Sequence, residues 1–352
     1  MTIIKFTRDS IWSFSGISNL SGITNPFIDF CTNPIMVRFR DQLREYMRGE
    51  IPEKVIEILP SGFQAISDVV ILNLDERLYD YKVEIGKAVM ELLPRTKAVW
   101  LRKGIIKGKF RKPSGLEHLC GSEKTEVIHK ENGIRYKFDF TKIMFAKGNI
   151  TERAHLPTLV SDDETIVDMF AGIGYFSLGI GKHASPKKIY AMELNPVSYN
   201  YLEQNVRLNK LEDVIESFEG DCSEIVPNLA KTGIKADRII MGVFPAPYKY
   251  VESALKVVKC LPLRVRTDLQ SFVESSEETY KDNAYDKLKE PIENTVIHFE
   301  GVSMGKNITE MFGKFANIAE KSDFKTSPLA YRFVKSFCPK MWHLVLDIAV
   351  GT

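Results

Sequence analysis

The chain has 352 residues, of which 44% are hydrophobic and 27% charged. This composition is that of a folded globular protein and excludes a largely disordered one. A chain of this length is expected to form about two or three domains. No uninterrupted apolar run approaches roughly 18 residues, and the N-terminus MTIIKFTRDS lacks the pattern of a signal peptide. We therefore expect a cytoplasmic protein with no membrane partner.

The net charge of +2 conceals one strongly basic segment. Between Arg95 and Lys147 there are 14 Lys and Arg residues against 5 Asp and Glu residues. Such a cluster is typical of a surface that binds a polyanion, and it is equally typical of a solvated surface. The five cysteines lie far apart, with no CxxC pair and no histidine at metal-ligand spacing. The sequence therefore indicates neither a metal site nor a disulfide framework.

The N-terminal part of the chain predicts two small units. Residues 1–65 carry a short helical pattern in IMVRFRDQLREYM and are predicted to form a small accessory region. Residues 66–141 contain a strand pattern, a helical pattern and a second strand, in DVVILNL, VEIGKAVMELL and AVWLRKG. A hairpin is predicted around Asn132-Gly133. Residues 66–141 therefore predict a compact α+β domain, which carries most of the basic segment.

The C-terminal part, residues 142–352, predicts a larger α/β domain. Apolar strand patterns alternate with helical ones, in TIVDMFAG, KIYAMEL, ESFEGD, RIIMGVF, TVIHFEGV and HLVLDIAV. This alternation predicts βαβ units and a doubly wound, mostly parallel sheet. A helix is predicted to end near Lys259, and the next strand follows only about thirty residues later, which is long for such a connection. Residues 261–295 are therefore predicted to be an insertion.

Four successive strands of this domain end in residues suited to binding a nucleotide. Asp168 ends the first strand, and the turn Gly172–Gly174 follows, where glycines let the backbone turn sharply and approach a ligand. Glu193 ends the second strand, where a carboxylate can accept hydrogen bonds from ribose hydroxyls. Asp221 and Gly242 follow the third and fourth strands. Each feature alone is also typical of a tight turn or a strand end, but the ordered set predicts a nucleotide site.

This ordered set resembles the class I S-adenosylmethionine-dependent transferases. The resemblance implies a class I methyltransferase-like Rossmann fold, preceded here by the smaller α+β domain, with S-adenosylmethionine as the group donor. The residues that it implies for cofactor binding are Asp168, Phe170, Ala171, Gly172, Gly174, Glu193, Leu194, Asn195, Asp221, Cys222 and Gly242.

A narrower resemblance rests on three further runs: LCGSEKTEVIHKENGIRYKFDFTKIMFAKGNITER, MFAGIGYF and VKSFCPKMWHLVLDIAV. They resemble an archaeal and eukaryotic group that modifies the guanosine beside the anticodon of tRNA. Its branches are the guanine-37 N1-methyltransferases and the wybutosine-pathway aminocarboxypropyltransferases. The methyltransferases have Ser-Pro-Arg before a Thr-Glu-Arg, and Asn-Leu-Pro or a similar run after the fourth strand. Here Gly148 and Gly242 take the Arg and Asn positions, which resembles the aminocarboxypropyl branch.

The absence of side chains at these two positions has a possible chemical explanation. N1-methylation of guanine removes a proton from N1 and builds negative charge on O6, which suits an Arg and an Asn held near the base. Two missing side chains are expected to leave room for a tricyclic base and a differently placed methionine moiety. Alternatively, Gly242 only marks the end of a strand.

The resemblance also implies three catalytic residues. Glu152 aligns with the proposed general base of the methyltransferases, and Asn149 and Arg153 are placed to hold the cofactor carboxylate. The alternatives are a helix N-terminal acid for Glu152, a helix cap for Asn149 and a surface charge for Arg153.

The activity that the resemblance implies is transfer of the 3-amino-3-carboxypropyl group of S-adenosylmethionine to the wyosine-type base (4-demethylwyosine) at position 37 of tRNA-Phe, with release of methylthioadenosine. One alternative is a methyltransferase acting on guanine-37 or its tricyclic derivative, and another is a non-catalytic RNA-binding module. A nicotinamide oxidoreductase is disfavoured by Ser177, where the dinucleotide fingerprint has its third glycine.

The predicted RNA contacts lie in the basic segment and would engage the anticodon loop of the tRNA. Phosphate contacts are predicted for Arg102, Lys103, Lys107, Lys109, Arg111 and Lys112. Trp100, Phe110 and Tyr175 are candidates for stacking on a base, although core packing is the commoner role of such residues. His343 is predicted to be structural.

Overall fold

The computed structural model describes residues 38–104, 113–264, 292–305 and 307–352. Within these ranges the α-helices are α1 (Phe39–Met47), α2 (Glu53–Ile56), α3 (Lys82–Leu92), α4 (Ile150–His155), α5 (Ser177–His183), α6 (Pro196–Asn209), α7 (Cys222–Lys231), α8 (Val251–Leu255) and α9 (Ile308–Glu320). The strands in the same ranges are β1 (Gln64–Ile66), β2 (Val69–Leu72), β3 (Ala98–Arg102), β4 (Leu116–Gly121), β5 (Glu126–Glu131), β6 (Ile134–Asp139), β7 (Thr165–Asp168), β8 (Lys188–Glu193), β9 (Ile215–Glu219), β10 (Arg238–Met241), β11 (Thr295–Met304), β12 (Lys325–Cys338) and β13 (Met341–Gly351).

The N-terminal domain is built on a four-stranded sheet with the order β1-β2-β3-β4. Leu43 and Met47 of α1 pack in one core cluster with Leu72 of β2 and Ile85 of α3. The predicted boundary at residue 65 falls inside β1, which pairs with β2. In this structure residues 38–65 are therefore part of the α+β domain rather than a separate accessory region, because their apolar side chains complete its core. Residues 1–37 lie outside the described residues.

A two-stranded hairpin, β5-β6, follows the N-terminal sheet. Asn132 and Gly133 at its turn both have positive φ, of 49° and 75°, as the two-residue hairpin turn predicted from the sequence requires. The hairpin packs against α6, which directs Asn205 and Asn209 at the outer edge of β6. The hairpin thus joins the N-terminal domain to the C-terminal one.

The C-terminal domain is built on a seven-stranded sheet with the order β12-β13-β11-β10-β7-β8-β9. Strands β7 to β11 run parallel, and β13 pairs antiparallel with both β11 and β12. Neighbouring side chains of a strand point to opposite faces, so Ile166 and Val167 of β7 enter different core clusters. Helices α5 and α6 cover one face, and α7, α8 and α9 cover the other. The predicted doubly wound, mostly parallel sheet is confirmed.

Some features of this domain differ from the prediction, and others were absent from it. The helix predicted to end near Lys259 ends at Leu255, because the carbonyl of Val257 accepts a hydrogen bond from Ala236 and draws the chain towards the sheet. Strand β12 and helix α9 had not been predicted. Of the predicted insertion 261–295, residues 265–291 lie outside the described residues, and Thr295 already belongs to β11. In the described part of the chain, every helix is too short or too polar to cross a bilayer.

Candidate active site

A cavity of about 730 Å³ lies at the carboxyl ends of the parallel strands. This volume lies within the usual range for small-molecule sites. The loops that follow four neighbouring strands form much of its wall, together with the segment before α4. The corresponding lining residues lie within 142–153, 169–176, 193–198, 220–222 and 242–250.

The structure brings most of the predicted cofactor-binding residues to this cavity. Those that line it are Phe170, Gly172, Glu193, Leu194, Asp221, Cys222 and Gly242. The other four, Asp168, Ala171, Gly174 and Asn195, do not line it. Gly174 has a φ of 96°, and a Cβ atom there would lie 2.6 Å from Cγ of Leu178, so the turn after β7 requires glycine at this position. Asn195 caps α6, because its side chain accepts a hydrogen bond from the N–H of Val197.

Glu193 connects the first two strand ends. Its Oε2 accepts a hydrogen bond from the N–H of Gly172 at 2.8 Å, and its Oε1 accepts one from the N–H of Asn195 at 2.7 Å. Burial raises the pKa of this carboxyl, while these backbone donors partly offset that effect. The carboxylate predicted at the end of the second strand thus lies beside the cavity, and the N–H of the glycine turn holds it in place.

Asp221 and Cys222 form the third part of the wall. Asp221 caps α7, because its Oδ1 accepts hydrogen bonds from the N–H and the hydroxyl of Ser223 at 3.0 and 2.8 Å. Burial raises the pKa of the Cys222 thiol to about 12. The thiol is therefore protonated at neutral pH and contributes an apolar surface rather than a nucleophile.

Asp168 lies beneath the loop that follows β7. Its side chain is fully buried, and burial raises its pKa to about 6. Ser177 donates a hydrogen bond from its hydroxyl to Oδ2 at 2.6 Å, and Phe170 donates one from its N–H to Oδ1 at 3.3 Å. Ser177, the departure from the dinucleotide fingerprint, thus holds the carboxylate that ends the first strand.

Only two of the three predicted catalytic residues lie at the cavity surface. Asn149 and Arg153 line the cavity, whereas Glu152 does not. Glu152 has no exposed surface, forms an ion pair with Arg332 and has an oxygen 3.9 Å from Nε2 of His298. The structure therefore places the expected general base behind the wall, where its carboxylate is directed at other protein side chains.

Arg153 is a buried cation with an acidic partner, not the surface charge that was the alternative. It is 4% exposed, and its Nε and Nη2 donate hydrogen bonds to the two carboxylate oxygens of Glu131 at 2.5 and 2.9 Å. Its Nη1 donates to the carbonyl of Ala146, and its guanidinium lies 4.8 Å from the ring centroid of Phe145. The bidentate pair fixes the guanidinium in the cavity wall.

The two glycines that set the sequence apart from the methyltransferase pattern do not leave empty space. A Cβ atom at Gly148 would lie 2.9 Å from Nζ of Lys335, and one at Gly242 would lie 2.9 Å from Cε2 of Phe176. The expectation of added room is therefore corrected, because neighbouring side chains occupy both positions. Asn149 carries no helix-capping hydrogen bond from its side chain.

A buried charge cluster that had not been predicted from the sequence lies beside the cavity. His298 and Glu300 of β11 meet His343 and Asp347 of β13, and all four are at most 1% exposed. Nδ1 of His298 lies 2.8 Å from Asp347, and Nε2 of His343 lies 3.2 Å from Oε2 of Glu300. Glu300 also lines the cavity. The available signal was the presence of charged residues in apolar strand patterns, where they are seldom buried without partners.

Opposite charges in this cluster stabilise one another's ionised forms. Burial alone would raise the pKa of the Glu300 carboxyl, but His298 and His343 outweigh burial and lower this pKa to about 2. Burial also disfavours the charged imidazole of His298, but Asp347 and Glu300 outweigh it and raise the pKa of His298 to about 9. Glu300 is therefore ionised at neutral pH, and His298 is protonated.

Of the predicted RNA-contacting residues, the structure describes two. Arg102 is half-buried and donates a hydrogen bond to Oε1 of Gln64 at 2.6 Å, and Lys103 forms an ion pair with Glu117. Both cations thus have partners within the protein. The remaining predicted contacts lie outside the described residues: Lys107, Lys109, Phe110, Arg111 and Lys112.

The aromatic candidates for base stacking lie in different places. Trp100 is buried and packs edge-on against Phe140, in the core-packing role that was the alternative. Tyr175 lines the cavity, and its hydroxyl donates to the carbonyl of Met144. Among the residues that the structure describes, no group of three or more His, Cys, Asp and Glu side chains has the arrangement of a metal site.

Two known family models match neighbouring parts of the chain. Residues 43–125 match the TYW2 N-terminal domain, and residues 127–262 match the TRM5/TYW2 methyltransferase domain. The chain is 32% identical over 313 residues to the tRNA(Phe) (4-demethylwyosine(37)-C(7)) aminocarboxypropyltransferase of Pyrococcus horikoshii, covering 88% of this chain and 97% of that protein. It is 29% identical over 302 residues to the tRNA (guanine(37)-N(1))-methyltransferase Trm5b of Pyrococcus abyssi, covering 86% and 78%.

A solved structure supports the same relationship. The crystal structure of P. horikoshii TYW2 in complex with MeSAdo matches with a TM-score of 0.66 at 28% identity, covering 88% of this chain and 98% of that one. The match spans both the N-terminal domain and the seven-stranded sheet that carries the cavity. The protein belongs to the TRM5/TYW2 family.

Proposed function

We propose that this protein transfers the 3-amino-3-carboxypropyl group of S-adenosylmethionine to 4-demethylwyosine at position 37 of tRNA(Phe). The observation that carries the proposal is the match of residues 43–125 to the TYW2 N-terminal domain. In agreement, the alignment covers 97% of the P. horikoshii aminocarboxypropyltransferase but 78% of the P. abyssi methyltransferase. Gly148 and Gly242 also depart from the methyltransferase pattern.

The cavity fits this group donor. A nucleoside requires hydrogen-bond acceptors for its hydroxyl and amino groups together with apolar walls for its base. Glu193 supplies a carboxylate for the ribose hydroxyls, Asp221 supplies one for the adenine amino group, and Phe170, Leu194 and Cys222 supply the apolar surface. When bound, S-adenosylmethionine supplies a carbon made electrophilic by the adjacent sulfonium.

The transfer forms one bond and breaks another. C7 of the base bonds to the methionine carbon next to sulfur, the bond from that carbon to sulfur breaks, and methylthioadenosine leaves with the electron pair. The proton on C7 is then released. Three carbons are bonded to the sulfonium, so the product depends on which one faces the base. The task of this chain's residues is therefore to hold the donor in one orientation.

The tRNA partner follows from the same proposal. The basic segment from Arg95 to Lys147 supplies positive charge for phosphate contacts, and part of it, from Lys142 to Ala146, lies against the cavity. Arg102 and Lys103 are engaged within the protein, so a role in RNA binding requires them to share their partners with phosphates.

One product assay tests the proposal. The protein is incubated with S-adenosylmethionine and tRNA(Phe) carrying 4-demethylwyosine, and the nuclease digest is analysed by mass spectrometry. The expected result is an aminocarboxypropyl increment on the base together with methylthioadenosine. A methyl increment together with S-adenosylhomocysteine would overturn it.

A methyltransferase acting on the same nucleotide is the second candidate. The observation that favours it is the 29% identity to the P. abyssi Trm5b methyltransferase over 86% of this chain. tRNA(Phe) with an unmodified guanine at position 37 separates the candidates, because only a guanine-37 methyltransferase would modify it. Calorimetry with S-adenosylmethionine alone would further distinguish an enzyme from a non-catalytic RNA-binding module, which is expected not to bind it.

A further inference from the structure

The order of strands in the sheet arranges the polar groups of the cavity in a row. Asp221 follows β9, Glu193 ends β8, and the glycine turn follows β7. Gly242 follows β10, and Glu300 lies on β11, the next strand in the sheet. A ligand whose adenine and ribose lie at the first two positions therefore has its amino acid end directed towards the last two.

Glu300 has an unusual environment at that end of the row. Its side chain is 1% exposed and lines the cavity. Nε2 of His343 lies 3.2 Å from Oε2, but Oε1 has no hydrogen-bond partner among the described residues and lies 3.7 Å from Nε2 of His298. Leaving a buried charged acceptor without a donor costs free energy, so this oxygen needs a donor that the described residues do not supply.

Gly242 lies beside this carboxylate, and both residues line the cavity. A Cβ atom at position 242 would lie 3.6 Å from Cδ of Glu300, which is ordinary contact distance. The same Cβ atom would lie 2.9 Å from Cε2 of Phe176, so a side chain at this position would need Phe176 to move. The glycine that departs from the methyltransferase pattern thus leaves Glu300 as part of the cavity wall.

The charge of Glu300 determines what it can bind. With a pKa of about 2 the carboxylate is a fixed anion at neutral pH and too weak a base to take a proton efficiently. Its negative charge also helps to raise the pKa of Asp168. This end of the cavity therefore favours a cationic hydrogen-bond donor.

We propose that Glu300 binds the α-ammonium group of the methionine moiety of S-adenosylmethionine and so fixes the torsions that decide which carbon of the sulfonium faces the base. This inference rests on the proposed function, which supplies the ligand. The α-ammonium is the hydrogen-bond-donating cation of that ligand. With the nucleoside held by Glu193 and Asp221, a contact at Glu300 holds the donor at both ends.

Binding measurements without tRNA test this contact. Isothermal titration calorimetry compares wild type and Glu300→Gln for three ligands: S-adenosylmethionine, its analogue lacking the α-amino group, and methylthioadenosine. For Glu300→Gln we expect the Kd of S-adenosylmethionine to rise at least about tenfold, because a charge-assisted hydrogen bond is lost. The Kd of the other two ligands is expected to stay within about twofold, since neither carries the ammonium.

Glu193→Gln is the matched control. It changes a carboxylate in the same cavity, but at the ribose, which all three ligands share, so it is expected to weaken all three by a similar factor. Equal weakening of the three ligands by Glu300→Gln would mean that Glu300 only supports the fold, and would overturn the proposal. Unchanged binding of S-adenosylmethionine would overturn it as well.

A second variant covers the case in which Glu300→Gln does not fold. Glu300→Asp keeps the negative charge near His298 and His343 but shortens the side chain by one methylene, and the same selective loss for S-adenosylmethionine is expected. These measurements do not depend on which group is transferred. The wild-type protein could yield a methyl product while the Glu300 variants still bind S-adenosylmethionine selectively more weakly. That result would overturn the proposed function but would support the ammonium contact.

Discussion

Lys335 donates a hydrogen bond from Nζ to Oδ1 of Asn149 at 2.7 Å, and its side chain occupies the space that a residue larger than glycine at position 148 would need. Gly148, Asn149 and Lys335 therefore form one unit at the edge of the cavity. An arginine at position 148, as in the methyltransferase pattern, is incompatible with Lys335 in this position.

Replacing Gly148 by alanine is expected to displace Lys335 at little cost in stability. The new Cβ atom would lie 2.9 Å from Nζ and 3.0 Å from Cδ of Lys335, and the end of a lysine side chain moves readily. The free energy of unfolding, measured with urea, is expected to change by less than about 1 kcal/mol. In a Lys335→Met background the substitution should have even less effect, which a double-mutant cycle measures. A loss of several kcal/mol in wild type would show that the backbone itself has to move.

Removing the hydroxyl of Ser177 is expected to destabilise the protein in a pH-dependent way. Ser177→Ala takes a hydrogen-bond donor from the buried Asp168 carboxylate, which costs about 1–3 kcal/mol when the carboxylate is ionised. The folded-state pKa of Asp168, about 6, lies above its ordinary value of 3.8, so the folded protein binds the proton more tightly and ionisation opposes folding. The loss on substitution should therefore be larger at pH 7.5 than at about pH 4.5, as measured by urea denaturation at both values. An equal loss at both values would exclude the carboxylate as the cause.

Breaking the buried ion pair of Arg153 is expected to be costly. Glu131→Ala leaves the guanidinium buried without its bidentate partner, and uncompensated buried charges of this kind cost about 3–5 kcal/mol. The matched control is Glu203→Ala, which removes the half-buried partner of the exposed Arg207 on α6 and should cost about 0.5 kcal/mol or less. Urea denaturation measures both variants, and similar values for the two would contradict the prediction.

The His298 cluster is expected to make stability depend on pH in the alkaline range. The pKa of His298 is raised from its ordinary value of 6.5 to about 9 in the folded protein. Its contribution is therefore fully present below about pH 6.5 and is lost as the pH rises through about 9. The difference in unfolding free energy between wild type and His298→Gln should be larger at pH 6 than at pH 9.5. A difference that does not change with pH would mean that folding leaves the pKa of His298 at its ordinary value, and would contradict the prediction.

The strand ends of the site could be predicted because each lies within a short local pattern. An apolar run followed by Asp168 and two glycines, or by Glu193, is readable without knowledge of the rest of the chain. The charge cluster could not be predicted in this way. The antiparallel register of β11 and β13 places His298 opposite Asp347, and no local pattern specifies a register between strands so far apart in the sequence.

The placement of Glu152 shows a second limit. A family motif identifies its position in the sequence, but the direction of its side chain depends on Arg332 of β12, a strand that the sequence analysis had not predicted. The same holds for Gly148, whose missing side chain suggested empty space until Lys335 of the same strand was found there. Long-range packing decided both outcomes.

Asn205 and Asn209 extend the β5-β6 hairpin without adding a strand to it. Each amide accepts from the N–H and donates to the C=O of one residue of β6, Lys137 for Asn205 and Arg135 for Asn209. Four residues of helix advance about 6 Å and two residues of strand about 6.8 Å, so the two periodicities match over this length. The two side chains of α6 therefore occupy hydrogen-bonding groups along this edge of β6, which blocks the edge from pairing with a strand of another chain. A single-residue insertion between the two asparagines, or between Arg135 and Lys137, would change this spacing, and the two pairs of hydrogen bonds could no longer form together.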